Sequence, residues 1–173
     1  MLYRNGTPSD ADRVAALHTA SWRSAYAGLM PAEYLSGSLP EEHRAQWRER
    51  TAEPSGRWLL LAEEGDELLG FIHLVTVPDG RLYVENLHVR PGRVGTGIGH
   101  GLLHRGFAWA AAEHPGRDVY LEVLSGNVRA IAFYEREGGV VTAERPATVA
   151  PGIELDEIEY TWSATAVGRP GAR

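Results

Sequence analysis

Leu87-His88-Val89-Arg90-Pro91-Gly92-Arg93-Val94-Gly95-Thr96-Gly97-Ile98-Gly99-His100-Gly101 is the stretch that decides the fold. It begins as the end of an apolar strand and ends as the start of a helix, with glycines at 95, 97, 99 and 101 between. Each glycine inside a helix costs about 1 kcal/mol relative to alanine. Several at one helix start therefore need a reason, and close approach of a ligand to bare backbone supplies one. Amides at a helix N-terminus, helped by the helix dipole, bind phosphate oxygens. A flexible turn is the plainer alternative. Two phosphate motifs fail. The dinucleotide pattern G-x-G-x-x-G is not met from Gly95, where the sixth residue is His100, nor from Gly97, where it is Leu102. The nucleoside-triphosphate loop needs lysine, and the chain has none.

Upstream, Arg57–Glu64 and Glu67–Val77 read as apolar strands joined by Gly65-Asp66, residues a tight hairpin prefers. Pro78-Asp79-Gly80 makes a second turn into a third strand, Leu82–Val89. The loop thus follows an antiparallel meander. Before it, a short strand at Leu2–Arg4 precedes a helix from about Pro8 to Ala27, entered through Thr7-Pro8-Ser9-Asp10 and ended by Gly28. Pro31 and Pro40 read as first positions of short helices, the second carrying Arg44, Trp47 and Arg48. After the loop come a helix from about Gly97 to Glu113, a strand Val119–Leu124 and a helix Asn127–Glu137. A closing strand pair, Gly139–Ala143 with Glu154–Ser163, follows. This order predicts an α+β sandwich with a mixed central sheet. A single domain over 1–166 and a frayed tail over 167–173 are expected.

Composition narrows the function. Of 173 residues, 43% are hydrophobic and 23% charged, which suits a globular chain. The net charge of −6 and the lack of a polybasic run argue against a nucleic-acid partner. No apolar run approaches the ~18 residues a bilayer needs, and no signal pattern follows Met1, so no membrane role and a cytoplasmic location are expected. With no cysteine, a thiol nucleophile is excluded.

Leu87-His88-Val89-Arg90-Pro91 followed by Val94-Gly95-Thr96-Gly97-Ile98-Gly99 resembles the acetyl-CoA motif of the GNAT superfamily, L-x-V-x-P, two residues, then Gln/Arg-G-x-G-x-G/A. The resemblance implies a mostly antiparallel mixed sheet flanked by helices, with a strand–glycine loop–helix site for acetyl-CoA. It implies that amides of the loop hold the pyrophosphate and that the main chain of Leu87, His88 and Val89 lies along the pantetheine arm. Val94 occupies the usual Gln/Arg position, with Arg93 one residue early. Downstream, Asn127, Ala130, Phe133 and Tyr134 resemble the family's second motif, N-x-x-A-x-x-F/L-Y. Asn127 then corresponds to a pantetheine contact, Phe133 to a neighbour of the cofactor, and Tyr134 to the general acid that protonates the leaving thiolate.

An ammonium must lose a proton before it attacks. Glu85, on the same strand face as Leu87 and Val89, is the first candidate base, with His88, Tyr83 and His73 as alternatives. Many family members carry the acid two residues earlier, where this chain has Tyr83. Trp22 and Tyr26, four apart on the first helix, form either a structural aromatic pair or one wall of an acceptor pocket. Glu154, Asp156, Glu157 and Glu159 lie either on a solvated edge or where they attract a cation. His100 and His104 share a helix face, but without an H-E-x-x-H pattern no metal is expected. The expected activity is acetyl transfer from acetyl-CoA to a primary amine of a small molecule or peptide, by direct attack in a ternary complex. A non-catalytic acyl-CoA sensor and an acyltransferase using a hydroxyl acceptor are the alternatives, and the resemblance makes a homodimer reasonable.

Overall fold

A computed structural model describes residues 1–168 of the chain. Its strands are β1 (Leu2–Asn5), β2 (Arg57–Glu64), β3 (Glu67–Thr76), β4 (Leu82–Val89), β5 (Val119–Leu124), β6 (Val140–Ala150) and β7 (Ile153–Trp162). Its helices are α1 (Ala11–Ala25), α2 (Ala32–Ser36), α3 (Leu39–Ala52), α4 (Ile98–Glu113), α5 (Val128–Arg136) and α6 (Ala164–Val167). The strands follow the order β1-β2-β3-β4-β5-β7-β6 in one seven-stranded, mostly antiparallel sheet, so the fold is α+β as expected. Among the described residues, no helix is long and apolar enough to cross a membrane. The described residues divide into two compact units, Met1–Val75 with Asn86–Gly106, and Thr76–Glu85 with residues 107–168.

In the first unit, β2 and β3 form a hairpin from Glu64↔Glu67 to Arg57↔Val75, turned at Gly65, whose φ of 58° suits glycine. One face of this hairpin carries Leu59, Leu61 and Phe71 in an apolar cluster with Val14 and Leu17 of α1 and Trp47 of α3. The other face accepts α4 through two glycines. A Cβ at Gly70 would stand 3.0 Å from Ile98 and 2.9 Å from the His88 carbonyl oxygen, and one at Gly106 would stand 3.0 Å from Ile72. Both glycines let helix and strand approach closely. The entry to α1 is tied by Arg4, which bridges the Asp10 and Glu63 carboxylates. That contact holds the Asp10 carboxyl well below its ordinary range.

Here the expected elements need adjustment. Pro8–Asp10 is a 3-10 turn, and α1 runs only from Ala11 to Ala25. Pro31 stands just before α2, and Pro40 is the second residue of a 14-residue α3, longer than expected because Leu39, His43 and Trp47 form a buried stripe.

In the second unit, β5 pairs antiparallel with β7 from Val119↔Trp162 to Leu124↔Glu157, and β6 pairs with β7 along most of its length. The start of β4 pairs in parallel with β5 at Leu82↔Val119 and Tyr83↔Tyr120. Tyr134 of α5 packs on Tyr160 and Trp162 of β7. The helix leaves through Gly138, at φ 81°, into Gly139, where a Cβ would stand 2.8 Å from the Trp162 ring. Val167 closes α6 and is buried. The remainder of the expected tail, from 169, lies outside the described residues.

Candidate active site

The end of β4 runs into the glycine loop inside the first unit. The Arg90 amide donates to the Leu69 carbonyl at 2.8 Å, and the Arg93 amide closes a turn onto the Arg90 carbonyl at 3.0 Å. The Thr96 hydroxyl donates to the Arg93 carbonyl at 2.6 Å. Gly92, Gly95 and Gly97 have φ of 85°, 84° and 86°, a region L side chains rarely adopt. At Gly95 and Gly97 a Cβ would meet no protein atom within 4 Å. These two glycines therefore serve the turn and leave their outer side open, while α4 begins at Ile98. Ile98 itself is buried.

Gly101 is different. A Cβ there would stand 2.3 Å from the Tyr3 hydroxyl, so packing and not a ligand explains this glycine. The side chains at the departure from the motif are also placed: Arg93 pairs with Glu64 at 2.9 Å, and Val94 is exposed.

The side chain of His88 enters a group of imidazoles in the same unit. Its ring centroid lies 4.5 Å from that of His18 and 5.4 Å from that of Phe71. His18 stacks on His43 at 3.8 Å with an interplanar angle of 4°. Burial, reinforced by His43, pushes the His88 pKa down to about 3. Burial also pushes His43 down to about 4 and His18 well below its ordinary value. So low a pKa makes neutral His88 a weak acceptor for the proton of an ammonium ion. His73, another alternative, is buried beside Trp47 in the core, with ring centroids 5.2 Å apart.

These depressed values predict acid sensitivity. Unfolded histidines titrate near ~6.5, so as the pH falls below that value the unfolded chain binds protons that the folded chain refuses. Stability is fully present above about 6.5 and is lost as pH falls toward the folded values, with a slope of about 1.4 kcal/mol per pH unit for each histidine. Urea unfolding of wild type at pH 7.5, 6 and 5 should show this loss, and His43→Gln should flatten it by about one proton. A slope unchanged by His43→Gln would refute this account.

In the second unit, Tyr83 stacks on Tyr120 and donates its hydroxyl to Glu122 at 3.1 Å. Burial, then Glu122, Glu85 and Glu157, push the Tyr83 pKa far above its ordinary value. A phenol so hard to ionise is no base. Glu85 is half-buried, and Glu157 titrates high because of burial and the nearby Glu122. Arg145 pairs with Glu122 and, at 3.4 Å, with Glu159. Tyr134 is buried on α5, its ring centroid 5.3 Å from that of Phe133. Asn127 caps this helix, its side-chain oxygen accepting from the Ala130 amide at 3.3 Å. Trp22 of α1 and Tyr26, the residue that caps its C-terminus, meet edge to face at 5.1 Å, and Trp22 also meets His43 at 5.1 Å. His100 and His104 lie side by side on α4, 4.2 Å between centroids.

The strand, open glycine loop and helix start lie within residues 15–139, which match the sequence profile of the Acetyltransferase (GNAT) family. This chain belongs to the GNAT acetyltransferases. It is 26% identical over 165 residues to the uncharacterized N-acetyltransferase YuaI of Bacillus subtilis (strain 168), covering 92% of this chain and 91% of that protein. It is 30% identical over 141 residues to the probable N-acetyltransferase Rv2775 of Mycobacterium tuberculosis (strain ATCC 25618 / H37Rv), covering 78% and 76%. A crystal structure of PaiA N-acetyltransferase from Thermoplasma acidophilum, in complex with coenzyme A, superposes with a TM-score of 0.76 at 19% identity, covering 93% of this chain and 98% of that one.

Three features of this GNAT protein escaped the sequence. Ser21 and His43, which meet or face the imidazole group, sit on helices remote in sequence from β4, and no periodicity links them to it. The grouping of Glu122 and Glu157 with Tyr83 depends on strand register. Alternation along β5 places Glu122 on the face of Tyr120, and that signal could have found it.

Proposed function

We propose that this protein transfers the acetyl group of acetyl-CoA to a primary amine by direct attack in a ternary complex. The observation that carries the reading is the glycine loop, left-handed and open at Gly95 and Gly97 and leading into the first amides of α4. Such amides suit a pyrophosphate. The residues therefore fit acetyl-CoA as co-substrate, with Arg93, Val94, Gly95, Thr96, Gly97, Ile98 and Gly99 at the phosphates. Leu87, His88 and Val89 present main chain to the pantetheine arm, and one of their amides polarises the thioester carbonyl. Asn127 and Phe133 flank the arm.

Glu85, directly or through water, takes a proton from the incoming ammonium ion, and the amine nitrogen so freed attacks the thioester carbonyl carbon and sheds its surplus proton to water. The carbon–sulfur bond then breaks, and the thiolate takes the proton of Tyr134. The absence of cysteine supports direct transfer, since no enzyme thiol can carry the acetyl group. Trp22 and Tyr26 wall the acceptor. The carboxylates of Glu85, Glu122 and Glu157, felt together at Tyr83, favour a cationic acceptor.

Thiol release from acetyl-CoA with a panel of amines and alcohols tests the reading. Release with amines alone is expected. Release with alcohols alone would replace the acceptor class, and tight acetyl-CoA binding without release would make the chain a sensor. In the same assay Glu85→Gln should lower kcat about 100-fold at neutral pH. The deficit should shrink as pH rises toward the amine's own pKa, where unprotonated amine becomes plentiful. A pH–rate profile matching wild type would place the base elsewhere.

A further inference from the structure

One polar contact in the first unit has no part in the roles above. The Ser21 hydroxyl of α1 lies 2.9 Å from His88 Nδ1, and Ser21 is buried. His88 lies in the segment of β4 whose main chain the proposed function sets along the pantetheine arm. Burial holds the pKa of its imidazole low, so the ring is neutral. Buried polar groups need partners, and an apolar pair would fill the same space without that demand. What the polar pair adds is direction: a hydrogen bond fixes the plane of the ring.

The neighbours strengthen that grip. The Trp47 indole, which can only donate, lies 3.0 Å from His18 Nδ1, so in neutral His18 the proton sits on Nε2. His18 stacks on His43, whose Nδ1 lies 2.9 Å from the Thr19 hydroxyl, and its own ring lies against His88. The His88 side chain is thus approached by α1 through Ser21 and His18 and by β3 through Phe71. His18 carries the contact on to Trp47 and His43 of α3.

We infer that Ser21 is a positioning residue for acetyl transfer: through its hydrogen bond to His88 it fixes the main chain of β4 where that strand receives the acetyl thioester. The inference rests on the acetyl-transfer reading above. A misaligned oxyanion donor slows the chemical step more than it weakens binding of the rest of the cofactor, whose phosphates are held at the glycine loop.

The test compares Ser21→Ala and Ser21→Thr with wild type in turnover, KM for acetyl-CoA, and calorimetric Kd for acetyl-CoA and for free CoA. Ser21→Ala should lower kcat roughly tenfold or more while changing KM by about twofold at most. Its Kd for CoA should stay near wild type, but the preference for acetyl-CoA over CoA should vanish. Ser21→Thr keeps the hydroxyl and should restore both. If Ser21→Ala fails to fold, Ser21→Cys, a weaker donor of similar size, should show the same pattern in milder form. Wild-type kcat and wild-type acetyl preference in Ser21→Ala or Ser21→Cys would overturn the inference. So would a parallel loss of CoA and acetyl-CoA binding that Ser21→Thr does not repair. Should wild type release no thiol with any acceptor, the acetyl-transfer reading fails, and the two Kd values still decide whether Ser21 acts on the acetyl end of the site.

Discussion

Tyr134→Phe turns over about 100-fold more slowly than wild type, with acetyl-CoA affinity changed by no more than about threefold. The reasoning begins with packing. Tyr134 is 9% exposed, and its ring is set among Phe133, Tyr160 and Trp162. Phenylalanine keeps that ring and removes one oxygen, so the stability cost should be small, about 1 kcal/mol. Turnover loses more, because a departing thiolate without a proton donor recombines with the acetyl carbon. Tyr160→Phe is the control. Its hydroxyl donates to Glu135 at 3.2 Å, an interaction on the same hydrophobic cluster, and its loss should leave kcat near wild type. Steady-state kinetics and thermal unfolding of both variants check the prediction. Equal turnover in the two would return Tyr134 to a packing role.

What the sequence disclosed, and what it hid, follows from how local each signal is. The strands Arg57–Glu64, Leu82–Val89 and Val119–Leu124 were legible to the residue, because apolar runs are bounded by Gly65-Asp66, Pro78-Asp79-Gly80 and the polar stretch before Val119. β6 was expected to stop at Ala143 and runs to Ala150. Its second half includes Glu144, Arg145 and Pro146 and lies on the sheet edge, where side chains face water and alternation disappears. Backbone pairing such as Arg145↔Glu157 holds it, and that partner lies on the next strand. The glycine loop was legible because its chemistry is main-chain and contiguous. His88 was not. As one residue of a strand it reads equally as a base or as a cofactor neighbour, and it is His18 and Ser21, brought in by α1, that hold it as a half-buried ring beside His43 of α3.

Gly99→Val should raise the Kd for acetyl-CoA about 100-fold while leaving the fold intact. Two observations make Gly99 the cleaner position. Gly97 has a φ of 86°, so valine there strains the backbone whether or not a ligand binds. Gly99 lies within α4 and outside the left-handed set, so valine there meets no left-handed backbone, and its helix propensity is no worse than that of glycine. Loss of affinity at Gly99 therefore reports obstruction of the phosphates. Hydrogen bonds to charged groups contribute about 1.5–3 kcal/mol each, and each 1.4 kcal/mol is tenfold, so displacing one or two of them gives roughly the stated factor. Gly101→Ala supplies the contrast. Its new methyl group meets the Tyr3 hydroxyl at 2.3 Å, and Arg105 lies over that ring at 3.7 Å. It should lower the melting temperature while sparing the affinity of the folded fraction. Calorimetry with CoA and acetyl-CoA, together with thermal unfolding, separates the two glycines. If Gly99→Val binds both ligands as wild type does, the amides at the start of α4 do not hold the pyrophosphate, and the reading of Gly95 through Gly99 as a phosphate cradle falls with them.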